Sequence, residues 1–296
     1  MKQFKLALIQ DKGYAEPKTA LSRYMTNIRR AAEQGAHLVL LPELHNSYYF
    51  CQWENVKEYD LAESIPGPST EALGALAREL NLVIVASLFE RRAPGLYHNT
   101  AVVFDRNGEI AGKYRKMHIP DDPGFYEKFY FTPGDLGFNP VETAVGKLGV
   151  LICWDQWFPE AARLMTLGGA EILLYPTAIG WINEDNDAAL RARQRDAWVT
   201  VQRGHAIANG VPVAACNRTG FEQSPLHTEK GIEFWGTSFI CGPQGEFLAE
   251  AHNQGDSEIL IADIDKTHTD RVRHGWPYLR DRRVDAYVDL LKRYRD

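Results

Sequence analysis

Short apolar runs bounded by turn residues recur along the chain, at residues 4–10 (FKLALIQ), 37–43 (HLVLLPE), 82–89 (LVIVASLF), 100–105 (TAVVFD), 148–154 (LGVLICW), 171–177 (EILLYPT), 211–216 (VPVAAC), 237–241 (TSFIC) and 259–264 (ILIADI). Their hydrophobicity is continuous rather than alternating, which predicts strands covered on both faces. Helical patterns lie between them. In 19–34, Leu21, Met25, Ile28 and Ala32 recur at three- and four-residue steps before Gly35. The stretch STEALGALARELN (69–81) places Ser and Thr as caps ahead of its periodic residues, and 186–209, ending before Gly210, is the longest helical pattern.

The pattern repeats once. GAHLVLLPE (35–43) aligns with GAEILLYPT (169–177), LVIVAS with VPVAAC, and NTAVVFDRNGEIAGK (99–113) with GTSFICGPQGEFLAEA (236–251). Each half reads helix, strand, helix, strand, then a hairpin whose turn carries NGE or QGE. This predicts a single α/β domain over 1–296 with internal pseudo-twofold symmetry: two mixed sheets face to face with helices outside, a four-layer αββα sandwich. The tail 267–296 reads as a polar arm and a short amphipathic helix (Val284, Val288, Leu291) of the kind used in oligomerisation.

Composition adds mainly exclusions. The chain has 296 residues, 45% hydrophobic and 24% charged, enough for a sizeable core. A net charge of -6 supplies no basic patch for nucleic acid and mildly favours a cationic small molecule. No apolar stretch has the length of a spanning helix, and the N-terminus lacks a signal-peptide pattern, so a cytoplasmic location with no membrane partner is expected. Cys51, Cys153, Cys216 and Cys241 are widely spaced without a C-x-x-C pair, which points to free thiols and to no metal site. The sequon NRT at Asn217 matters only on a secretory route.

In α/β sheets, sites gather outside the carboxyl ends of strands. Three residues there form a chemically coherent set: Glu43 after HLVLLP, Lys116 after EIAGKYR and Cys153 at the end of KLGVLI. A carboxylate, an ammonium and a thiol suit acyl transfer, with Glu43 taking the thiol proton and Lys116 binding the oxyanion that forms on attack. The backbone N–H of Trp154 is the natural second donor. Singly, each residue has an ordinary structural role: a core thiol, a turn cap, a solvated strand-end charge. Cys153 stands out by its flank, because CWDQWFPEAAR switches from apolar strand to Pro-started helix and predicts a thiol at a helix N-terminus. A papain-like arrangement around Cys153 with His118 or His205 is the second mechanism.

LLPE with Glu43, KYRKMHIP with Lys116 and GVLICWDQWFPE with Cys153 resemble, in order and spacing, the Glu-Lys-Cys signature of the nitrilase superfamily of carbon–nitrogen hydrolases. The resemblance runs from about residue 4 to 290. It implies the αββα sandwich, homo-oligomers built on a dimer, no cofactor, and roles for Glu43 as general base, Lys116 as stabiliser of the intermediate and Cys153 as nucleophile. It also implies a second, positioning glutamate, matched here by Glu127 in GFYEKFYFTPGD.

Within that superfamily, residues 113–135, YYFCQ after Glu43 and CWDQWFPEAAR look like the branch that acts on N-carbamoylputrescine. The expectation is hydrolysis of a terminal urea group to putrescine, carbon dioxide and ammonia. Its far-end ammonium calls for a carboxylate and an aromatic wall. Asp121, Asp122, Glu184, Asp185 and Asp187 are the acidic candidates, with Tyr48, Tyr49 and Trp181 as walls. Gln156 and Trp157 stand where branches acting on carboxylate-bearing substrates often carry arginine. The alternatives are an amidase of the same superfamily acting on another small carbamoyl or amide substrate, and a nitrilase-like binding module without turnover.

Overall fold

The computed structural model describes residues 1–182, 187–252 and 257–295. Strands β1 (Gln3–Gln10), β2 (Leu38–Leu40), β3 (Val83–Ala93), β4 (Leu96–Phe104) and β5 (Ile110–Arg115) lie side by side in that order. A second sheet contains β6 (Val141–Thr143), β7 (Gly146–Val150) and β8 (Ile172–Thr177). It is completed by β10 (Val213–Asn217), β13 (Phe239–Cys241) and β14 (Phe247–Glu250), in the order β14-β13-β10-β8-β7-β6. A small sheet of β9 (Gly180–Ile182), β11 (Thr219–Ser224) and β12 (His227–Trp235) sits apart, and β15 (Glu258–Asp265) returns to flank β1.

The continuous apolar runs are explained by the alternation inside them. Leu6, Leu8, Leu38, Leu40, Val83 and Val85 point into the core shared with the second sheet. Their neighbours Ala7, Ile9, Val39, Ile84 and Ala86 point the other way, onto Tyr24, Ile28 and Ala31 of α1 (Pro17–Glu33) and Leu73, Leu76 and Ala77 of α2 (Pro68–Leu80). Both faces are buried along the central segments of these strands, so the runs are apolar on both, and polar residues such as Gln10, Ser87 and Asn99 stand toward the strand ends or the site; each fully buried Leu or Ile contributes roughly 1.5–3 kcal/mol. On the far side, α4 (Pro159–Leu167) and α5 (Ala188–Asn209) add Ala161, Met165, Trp198 and Ala206 to the second sheet's core. The four layers are those the pattern predicts.

The two halves correspond in pairing as well as sequence. β1-β2-β3 run parallel, with β4 and β5 antiparallel beyond them, and β7-β8-β10 run parallel, with β13 and β14 antiparallel beyond. Each set also has an antiparallel flanking strand, β15 on β1 and β6 on β7. The hairpins even share an irregularity, between Val103 and Phe104 in one and between Ile240 and Cys241 in the other.

Three local expectations change. The cap of α2 is Gly67, whose N–H donates to Thr70 Oγ1 (2.7 Å); Pro68 opens the helix one residue ahead of the Ser and Thr expected to cap it. In the tail, α6 (Lys266–Gly275) precedes the arm, and Val284, Val288 and Leu291 fall on two short 3-10 turns rather than on one amphipathic helix. All three are exposed. The small sheet was not expected: its sequences TGFEQS and HTEKGIEFW lack a continuous apolar run.

Candidate active site

β7 ends at Val150, and after Leu151 and Ile152 the chain turns sharply at Cys153, whose φ of 42° lies in the left-handed region. Such a conformation is uncommon for a residue with a Cβ and persists where the surroundings impose it. Asp155 imposes it here. Its buried carboxylate accepts from Ile152 N (2.9 Å), from Tyr114 OH (2.8 Å) and from His118 N (3.1 Å), pinning the turn to the segment carrying Lys116. Cys153 opens a 3-10 turn, Cys153–Trp157, and α4 starts only at Pro159, so the expected helix N-terminus is not at the thiol. Burial pushes the Cys153 thiol well above its usual range, reinforced by the Glu43 charge and opposed by Lys116. The resting sulfur is therefore a thiol, and its proton must leave during attack.

Glu43 follows β2 and Lys116 follows β5 directly, and both are fully buried. Lys116 Nζ donates to Glu43 Oε1 (2.7 Å) and to Glu127 Oε2 (2.6 Å), the latter from the first turn of α3 (Glu127–Tyr130). Asn99 Nδ2 also donates to Glu43 Oε1 (2.7 Å), while Glu43 Oε2 is buried with no hydrogen-bond partner among the described residues. One oxygen is saturated by donors and the other is left as an acceptor. Burial works against the Lys116 ammonium, but Glu127 and Glu43 outweigh it and hold the amine charged. Burial lifts Glu127 to about 7, with Lys116 opposing the rise and Glu43 adding to it.

Cys153 opens onto a cavity of about 360 Å3 that Glu127 also lines. Its walls are mostly apolar and aromatic, with Trp154, Trp157, Phe125 and Trp235 prominent. Asp122 and Glu127 are its charged lining residues among those described. Asp122 opens a turn, Asp122–Phe125, closed by Phe125 N to Asp122 O (2.8 Å), with Gly124 at φ 80°. Pro then Gly at the two central positions is the requirement of a type II turn.

Of the other expected contacts, Trp154 lines the cavity and Asp121 is exposed outside it. Tyr48 is tied to Glu58, and Tyr49 is fully buried with its hydroxyl on Glu127 Oε1 (2.8 Å), and neither is among the described lining residues of the cavity. Trp181 packs behind the cavity on Trp235 (centroids 5.5 Å) under the guanidinium of Arg191 (4.9 Å). Asp187 caps α5, accepting from Ala189 N (2.8 Å); Glu184 and Asp185 lie outside the described residues. The papain-like arrangement finds no geometry: His118 Nδ1 is engaged by Asp155 (2.7 Å) and His205 Nε2 by Gln156 O (2.8 Å).

Residues 5–274 match the family model described as carbon-nitrogen hydrolase. The chain belongs to the carbon–nitrogen hydrolase family. It is 47% identical to an N-carbamoylputrescine amidase from Solanum lycopersicum, over 89% of this chain and 87% of that protein. It is 42% identical to a citrullinase from Francisella tularensis subsp. tularensis (strain SCHU S4 / Schu 4), over 99% of this chain and 100% of that one. A crystal structure of a carbon-nitrogen hydrolase from Helicobacter pylori G27 superposes with a TM-score of 0.95 at 53% identity, covering 99% of this chain and 100% of that chain.

This carbon–nitrogen hydrolase also carries site residues that sequence reasoning passed over. In the sequence Asn99 is only the start of a repeated segment, Asp155 carries no signal of its own, and Asn217 is only a sequon. Asn217 is fully buried, its side chain bonded to Ile179 N (3.0 Å), Ile179 O (3.0 Å) and Gly236 O (3.1 Å), which closes it to glycosylation. The strand-end rule that found Glu43 and Cys153 points to Asn217 and Arg218 when applied to VPVAAC.

Proposed function

We propose that this amidohydrolase cleaves N-carbamoylputrescine to putrescine, carbon dioxide and ammonia. In this reading Cys153 Sγ attacks the ureido carbon while Glu43 Oε2 takes the thiol proton. Lys116 and the backbone N–H of Trp154 stabilise the oxyanion, and Glu127 orients Lys116. The C–N bond then breaks, an amine leaves with the proton from Glu43, and a carbamoyl thioester remains on the sulfur. Water that gives its proton to Glu43 opens that thioester, freeing Cys153 and a carbamic acid that falls apart to carbon dioxide and the second amine.

The observation that carries the substrate assignment is the cavity wall: aromatic rings with the carboxylate of Asp122, and no Lys or Arg among the described lining residues. Such a lining favours a primary ammonium, whereas an α-carboxylate would meet no counterion among the described lining residues, which supports this reading over a citrullinase one. The identity with N-carbamoylputrescine amidases supports the same choice. Ammonia release by the purified protein is expected to be rapid with N-carbamoylputrescine and slow with citrulline, N-carbamoyl-β-alanine and a simple aliphatic amide. Preference for citrulline would overturn the assignment.

A cytoplasmic location is part of this reading, supported by four free, buried cysteines. So is self-association through the C-terminal arm, supported by Leu291 and Tyr294, whose exposures of 95% and 82% leave apolar surface uncovered on one protomer. Sedimentation of a chain ending at Gly275 is expected to give fewer protomers per particle than the full chain; an unchanged number of protomers would remove the arm from the interface.

A further inference from the structure

Arg218 is 1% exposed, at the junction of β10 and β11, and the mechanism above gives it no work. Its guanidinium reaches across the pseudo-twofold to the first half. Nε donates to Glu43 O (3.1 Å), Nη2 to Leu44 O, and Nη1 to Glu222 Oε1 (2.9 Å). The two carbonyls belong to the bend where the chain leaves β2, and Leu44 there has a φ of 49°. That is a strained backbone immediately behind the Glu43 carboxylate.

Glu222 carries the connection onward. Its Oε2 accepts from Tyr49 N (2.6 Å), and the Tyr49 hydroxyl donates to Glu127 Oε1 (2.8 Å). Glu127 Oε2 accepts from Lys116 Nζ (2.6 Å), and Lys116 returns to Glu43 Oε1 (2.7 Å). The hydrogen bonds thus close a ring, Arg218–Glu43–Lys116–Glu127–Tyr49–Glu222–Arg218, in which four links join side chain to side chain and two end on backbone atoms, Glu43 O and Tyr49 N. The Arg218 guanidinium also lies 5.9 Å from the centroids of both Tyr49 and Phe234. Within this ring Arg218 is the sole member anchored to the backbone of Glu43.

We propose that Arg218 and Glu222 are positioning residues for catalysis, holding the Glu43 and Glu127 carboxylates in register with the Cys153 thiol through this closed ring. This rests on the reading of Glu43 as the base. A Lys in place of Arg keeps the charge but cannot hold two carbonyls and a carboxylate in one plane. The groups facing the two carboxylates are Lys116 after β5, Cys153 in the turn after β7, and Tyr49 and Cys51 after β2, and the Arg218 charge is felt at Cys51. His45 feels the Arg218 charge from the same bend.

The test reads Cys153 directly, with no substrate required: the rate of alkylation by iodoacetamide against pH, located by peptide mass, alongside kcat and KM for N-carbamoylputrescine. Removing an anion in Glu222→Gln is expected to move the acidic limb of the alkylation profile to lower pH. Removing the cation in Arg218→Met is expected to move it to higher pH. Arg218→Lys is expected to leave the limb in place and lower kcat about 10- to 100-fold with KM within about threefold, because charge survives and geometry does not. Shifts of the same sign in Glu222→Gln and Arg218→Met, wild-type profiles in both, or losses confined to KM would overturn the proposal. Should Arg218→Met fail to fold, the double variant Arg218→Met/Glu222→Met replaces the buried pair by apolar groups of similar volume. A folded double variant with wild-type kcat overturns the proposal; one with lowered kcat supports it. Glu43→Gln separates the two layers of the argument. Wild-type alkylation there removes the base assignment and this proposal with it, whereas slow alkylation there beside wild-type Arg218 and Glu222 variants removes this proposal alone.

Discussion

Cys153 Sγ finds its hydrogen-bond acceptor in the carbonyl of Ala178, at 3.8 Å, just beyond the end of β8. This is a weak contact for a sulfur, and beyond it the thiol contributes only the packing of one small buried side chain. Cys153→Ala is therefore expected to lower turnover by at least about 10⁴-fold while leaving the unfolding midpoint close to wild type. Ammonia release and thermal unfolding on one preparation check this; appreciable turnover in the folded variant would refute the nucleophile assignment.

Lys116 makes a different prediction because it serves both chemistry and folding. Lys116→Met strands two buried carboxylates, and removing one partner of a buried ion pair typically costs about 3–5 kcal/mol. Turnover is expected to fall by at least about 100-fold through kcat rather than KM, since the lost interaction forms with the oxyanion. Denaturant unfolding and steady-state kinetics separate the two effects; a change restricted to KM would argue against the oxyanion role.

Glu127 links the site to stability against pH. Burial raises its folded pKa from 4.5 to about 7, so the folded chain holds a proton that the unfolded chain has lost in that window. Its contribution is fully present below about 4.5 and is lost as pH rises through about 7. His45, lowered to about 4 by burial, works in the opposite sense, so the informative quantity is a difference between proteins. The stability of Glu127→Gln relative to wild type is expected to increase between about pH 5 and about pH 8 in urea unfolding, while its turnover is reduced throughout. A relative stability independent of pH would show that Glu127 keeps an ordinary carboxylate pKa.

Asp122 is an exposed lining residue of the cavity, and in the proposed reading its carboxylate meets the distal ammonium. Asp122→Asn keeps size and turn geometry but removes the charge, and a charge-assisted hydrogen bond is worth about 1.5–3 kcal/mol. KM for N-carbamoylputrescine is expected to rise by about 10-fold or more, with little change for an uncharged amide of similar length. An equal effect on both substrates would move the anchor elsewhere.

The sequence made the sandwich legible because both faces of its strands are dry, and continuous apolar runs survive any reading frame. Glu43, Lys116 and Cys153 were legible because they stand where such runs stop. Tyr48, Tyr49 and Trp181, expected as walls, are not among the described lining residues of the cavity, because an aromatic near a site is as useful behind the wall as on it and only packing separates the two. Arg218 stands at a strand end, but neither its role nor that of Glu222 is legible, because both act on backbone atoms of residues distant in sequence, and Asp155 ties its own turn to Tyr114 and His118, some forty residues earlier. A strand such as TGFEQS, polar at most positions, gives no periodic signal that it will carry a buried guanidinium's partner.

The matched sheets have a consequence for how such a site is made. By strand register Cys153, after β7, corresponds to Asp11, after β1, since Leu6 faces Leu38 as Leu148 faces Ile172. Asp11 is fully buried and spoken for, accepting from Asn27 Nδ2 (3.1 Å), Tyr14 OH (3.1 Å) and Lys12 N (2.9 Å). Cys153 stands at the equivalent place with a cavity before it. A duplicated architecture has a spare for every position, so one copy can be committed to closing the protein while its twin is released to meet what comes from outside.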